Sequence, residues 1–132
     1  MTDTRFSAVI AIVLALGVTP ANGQTVLKSA DAAAFMGTWV FAMTNPQGDQ
    51  ETVRIVDKNG VVSASVQSGR FPPIEASGIL KDGDMLVLTA TRFENGRPIR
   101  AVISLTPNGD GMTMSQMLEF SETIKRGSGK RQ

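Results

Sequence analysis

The side chains most often used for covalent and acid–base chemistry are scarce in this chain. Among its 132 residues there is no Cys, His or Tyr. No thiolate nucleophile, disulfide or Cys-ligated metal can form, and neither a Ser-His-Asp triad nor an imidazole metal site is available. Glu75, Glu119 and Glu122 are the candidate acids or bases, but their spacing sets no two of them across a shared substrate. Ser77 and Lys81 face each other across a strand end at a spacing no better than chance. The turns Asp82-Gly83-Asp84 and Asn108-Gly109-Asp110-Gly111 look like pieces of calcium loops, yet neither has the regular oxygen ligands and closing Glu of an EF-hand. Ordinary turn chemistry accounts for both. The expectation is a protein that is not an enzyme, with no catalytic residue, metal or cofactor.

Other residues are suited to binding. Trp39 is the single Trp, either an interior plug stacked by a cation or a platform for a ligand. Met112, Met114 and Met117 cluster in one segment, with Met36 and Met43 near the start of the sheet-forming region. Methionine both fills irregular cores and lines pliable apolar surfaces. Arg92, Arg97 and Arg100 crowd one hairpin, as a solvated tip or as a contact for an acidic partner. A net charge of +1 gives no electrostatic basis for binding nucleic acid.

These residues must be positioned by a small number of elements. Residues 1–23 read as a signal peptide: Arg5, an apolar run over residues 6–18, a Thr19-Pro20 break and the small-x-small signature Ala21-Asn22-Gly23. The run is about 13 residues long against roughly 20 for a spanning helix, so no membrane span is expected after cleavage. The expected location is the bacterial periplasm or the exterior. Residues 24–36 form an N-terminal arm and a short helix at 29–36, with Ser29 or Asp31 as N-cap and Gly37 as its end.

From Gly37 the pattern changes to period two. Strands are predicted over residues 38–44, 52–57, 61–67, 74–80, 85–92, 98–106, 112–118 and 122–126, with residues 127–132 as a flexible basic tail. Asn59-Gly60 suits a type I′ hairpin turn. Such tight connections exclude parallel crossovers and describe an antiparallel meander, closed into a barrel or split into a sandwich. The absence of any long Greek-key connection favours an eight-stranded up-and-down barrel over residues 37–126. Its inward set mixes large Trp39, Phe41, Leu86, Leu88 and Ile103 with small Ala64, Ala76, Gly78, Ala90 and Ala101. The small residues either open a cavity or match the taper of the barrel.

A short helical lead-in followed by Gly37-Thr38-Trp39 resembles the start of the calycin superfamily, which includes lipocalins, fatty-acid-binding proteins and avidins. The chain is also similar to small secreted bacterial proteins with a Gly-Thr-Trp start, a Pro-Gln-Gly turn and an Arg near the end. The resemblance implies a Trp39 plug at the closed end of a barrel, crossed by an Arg of the last strand: Arg126, with Lys125 as its rival. It implies a non-catalytic binder of a small apolar or amphipathic molecule, lined by Phe41, Met43, Leu88, Ala101, Ile103, Met112 and Met114. The large lid of ligand-carrying lipocalins and the Trp-rich pocket of avidins are missing, so biotin is not the expected ligand. The chain also resembles periplasmic protease inhibitors built on an eight-stranded barrel, without their disulfide. Residues 24–28 would then act with the loops on a protein partner.

Overall fold

The computed structural model describes residues 26–44 and 48–132; residues 1–25, which include the predicted signal peptide, and residues 45–47 lie outside them. The period-two segments pair with their sequence neighbours because each has one apolar face and a turn at its end. The strands are β1 (Gly37–Met43), β2 (Gln50–Lys58), β3 (Val61–Ser68), β4 (Ile74–Glu75), β5 (Gly78–Asp82), β6 (Met85–Glu94), β7 (Arg97–Asn108), β8 (Gly111–Leu118) and β9 (Ile124–Arg131). They form one antiparallel nine-stranded sheet in the order β4-β3-β2-β1-β9-β8-β7-β6-β5. The sheet curls into a half-barrel around a single apolar interior.

The strand count differs from the expected eight because residues 74–80 do not form one uninterrupted strand. β4 pairs with β3, β5 pairs with β6, and Ala76 and Ser77 lie between them. The Ala76 N–H donates to the Ala64 carbonyl at 2.8 Å, and the Ser77 N–H donates to the Thr89 carbonyl at 2.7 Å. The chain thus passes its pairing from β3 to β6 within two residues.

Residues 127–132 depart furthest from the sequence reading. The Gly-Ser-Gly stretch is not a loose tail: β9 continues to Arg131 and lies between β1 and β8. Glycine is required here for close approach. A Cβ on Gly129 would stand 2.5 Å from Cδ1 of Phe41, and one on Gly127 would stand 2.6 Å from Sδ of Met43. The missing side chains make room for the large ones of β1.

The expected helix is a 3-10 helix, Ser29–Phe35, kinked at Ala32, and no side chain caps its start. The Ser29 hydroxyl bonds Asp57 instead, and the Gly60 N–H donates to the same carboxylate at 3.0 Å. Asn59 and Gly60 both have positive φ (55° and 90°), as the hairpin reading requires. Ala32 and Phe35 are buried against the sheet, so the helix covers the end where β1 starts and β9 finishes. We call this the helix end. The segments joining β3 to β4, β6 to β7 and β8 to β9 gather at the other, the loop end.

Candidate functional site

The interior changes character from one end to the other. At the helix end the Trp39 indole N–H donates to the Phe35 carbonyl at 2.9 Å. The guanidinium carbon of Arg131 lies 4.6 Å from the centre of the Trp39 ring. Arg131 Nε donates to the Met36 carbonyl at 3.1 Å and Nη2 to the Ala34 carbonyl at 3.2 Å. One cation therefore stacks on the indole and closes the end of the short helix, whose last carbonyls have no helical partner of their own. The stacking residue is Arg131, not Arg126 or Lys125. Trp39 pairs with Arg131 across β1 and β9, whereas Arg126 lies opposite Ser115 and is exposed. Reading β9 as ending at 126 displaced the expected partner by five residues.

Above the plug, the apolar core is continuous. Phe41, Met43, Leu88, Ile103, Met112 and Met114, six of the proposed lining residues, belong to one buried cluster that also holds Trp39 and Leu86. Alternation placed Met112 and Met114 inward and Met117 outward, and Met117 is 45% exposed. Ala101 is different: it is buried, as is Ala90 opposite it, yet neither belongs to the continuous cluster. Both lie toward the loop end, where the inward faces of β2 and β8 become polar.

Those polar residues are Glu51 and Gln116, 4% and 2% exposed. The Ser68 hydroxyl donates to Glu51 Oε1 at 3.0 Å, and Gln116 Nε2 donates to the same oxygen at 3.4 Å. Gln116 Oε1 is buried and has no hydrogen-bond partner among the described residues. Burial raises the Glu51 carboxyl above its ordinary range; the Ser68 bond and the charges of Arg92 and Lys125 oppose that shift, and Asp49 adds to it. The β2 reading started at residue 52 and passed over Glu51, and Gln116 drew no attention. Each is in phase with inward apolar neighbours, Val53 and Ile55 for Glu51, Met112 and Met114 for Gln116. A polar residue on an apolar face was the available signal.

Two grooves open nearby. One of about 390 Å³ is walled by Phe71, Pro72, Pro73, Ile74 and Phe93, with Ser68 and Arg92 at its polar side. A second of about 400 Å³ lies between the β6–β7 hairpin and the β8–β9 segment, with Arg97, Ile99 and Phe120 in its walls. None of the seven proposed lining residues borders either groove. Phe71, Phe93 and Phe120 are 69%, 72% and 90% exposed. Phe120 also has a φ of 69°, a conformation that bulky side chains disfavour. Arg92 stands 3.9 Å from Glu94, and the Arg100 N–H donates to Glu119 at 3.2 Å.

The described part of the arm lies along β3: the Val62 N–H donates to the Leu27 carbonyl at 2.9 Å, and Lys28 bridges to Val61. Gln24 and Thr25 lie outside the described residues. Among the described residues, no three His, Cys, Asp or Glu side chains gather as a metal site, and no helix is long and apolar enough to cross a membrane. No protein family, curated protein or solved structure matches the chain in sequence or fold comparisons.

Proposed function

We propose that this is an exported, non-catalytic binding protein whose curled sheet closes into a calycin-like barrel and takes a small amphipathic molecule at its loop end. Closure is supported by the two bonds from Ala76 and Ser77, by which consecutive residues between the outermost strands β4 and β5 reach β3 and β6. With β4 and β5 counted as one bent strand, the barrel has eight, and no edge is left to pair with another chain. The lower interior is its packed floor, plugged by Trp39 and Arg131. The binding position is the level of Ala90, Ala101, Glu51 and Gln116.

The observation that carries this reading is the orphaned Gln116 Oε1. A buried acceptor left without a partner costs about 1–3 kcal/mol, and such groups persist where a ligand or water completes them. In register Gln116 lies opposite Ile103, one inward position from the level of Ala101. A native mass spectrum of the purified protein should show a bound small molecule, and an environment-sensitive amphipathic probe should bind in titration. Ala101→Phe should fill the space and reduce probe binding at least tenfold while the fold persists. Undiminished binding in that variant would place the ligand elsewhere.

A second reading, a protein-interaction or inhibitor module, is favoured by one specific feature. Phe71, Phe93 and Phe120 stand exposed on separate segments of the same end, and clustered surface aromatics mark protein contacts. Replacing all three by Ser should abolish capture of such a partner; retention of a partner by the triple variant removes this reading.

A further inference from the structure

We infer that the ligand carries an uncharged hydrogen-bond donor, a hydroxyl or primary amide, on a short apolar body. This rests on the binding reading above and specifies its chemistry. Gln116 Nε2 is already directed at Glu51, so what remains for a ligand is the acceptor Oε1, which a donor satisfies and a carboxylate does not. The neighbouring Glu51 is itself acted on by charges of both signs, Arg92 and Lys125 against Asp49. An ammonium head drawn to Glu51 would meet two cations, and a carboxylate drawn to those cations would meet Glu51. Either would also leave water on entering a buried site, whereas a neutral donor brings no charge to desolvate.

The apolar body has a place to lie. The groove between Phe71 and Phe93 is bordered by Ser68, whose hydroxyl bonds Glu51, although neither Glu51 nor Gln116 lines it. Its volume of about 390 Å³ is in the range of about 300–1,000 Å³ typical of small-molecule sites. A head at Gln116 and a body between the two phenylalanines would therefore occupy one continuous stretch of the loop end.

The test holds the body constant and changes the head. The full chain is titrated calorimetrically with 1-octanol, octanamide, octanoate and octylamine at neutral pH. Octanol and octanamide should bind at least about tenfold tighter than either charged probe. Gln116→Met, which keeps the volume and removes the acceptor, should erase that preference. Phe71→Ser should weaken both neutral probes by a similar factor. Should Gln116→Met fail to fold, the amide protons of Gln116 followed by NMR in the unaltered chain must still shift with octanol. Tightest binding of octanoate or octylamine overturns the donor assignment but leaves the binding reading standing. Absence of binding by all four overturns both.

Discussion

The two ends of this molecule use buried polarity in opposite ways. At the helix end every polar group that approaches the core is answered: the Trp39 N–H by Phe35, the guanidinium of Arg131 by Met36, Ala34 and the indole face. At the loop end Glu51 and Gln116 meet at 3.4 Å and one amide oxygen is left over. Satisfied polar groups fix a structure, and incompletely satisfied ones mark where a protein departs from its most stable form for some use. The helix end is the one whose buried polar groups are paired, and the loop end is the one that leaves an acceptor over.

The largest expected effect lies at the helix end. Trp39→Ala should lower unfolding free energy by about 3–5 kcal/mol in urea denaturation, since it removes a large buried ring together with its bond. A loss below about 1 kcal/mol would mean that the plug does not hold that end. Arg131→Ala should cost about 2 kcal/mol through two hydrogen bonds and a cation–π contact, whereas Arg126→Ala, on the exposed face, should stay within about 0.5 kcal/mol. Equal losses at 126 and 131 would break the assignment of the stacking residue.

At the loop end the effect should be small. Gln116→Met should change stability by no more than about 1 kcal/mol, because removal of the unpaired buried acceptor offsets loss of the long Nε2 bond to Glu51. A clear loss would show that this end is as fully satisfied as the other. The smallest effect concerns pH. The folded state holds the Glu51 carboxyl above its ordinary range, so it binds more protons than the unfolded chain in the window between the ordinary and the raised value. Stability from this group is therefore fully present at low pH and declines as pH rises through that window. Arg92 and Lys125 reduce the decline and Asp49 steepens it. Glu51→Gln should flatten the profile of midpoint urea concentration against pH there, and an unchanged slope would mean that Glu51 does not carry this dependence.

Much of this architecture is visible in the residue order. Leu86, Leu88 and Ala90, or Met112 and Met114, mark inward faces because a pleated strand turns alternate side chains the same way. The turns Asn59-Gly60 and Asn95-Gly96 announce themselves by their tolerance of positive φ. The later part of β9, beyond Arg126, was illegible because Gly127-Ser128-Gly129 has the composition of a linker, and its fitness as a strand depends on Phe41 and Met43, which lie over eighty residues earlier. The Glu51–Gln116 pair was hidden for a related reason. Each residue alone is a single polar interruption of an apolar face, and only the curvature of the sheet brings β2 and β8 face to face.

The position of β9 has a consequence for biosynthesis. It separates two four-stranded arcs, β4 to β1 and β8 to β5, and it is translated after both. A nascent chain halted before residue 124 has its arcs but not the strip that seats one against the other, and the cation destined for Trp39 has not yet left the ribosome. Joining of the two arcs therefore waits until residues 124–131 have been made, so the non-local contacts of this sheet form after its local hairpins.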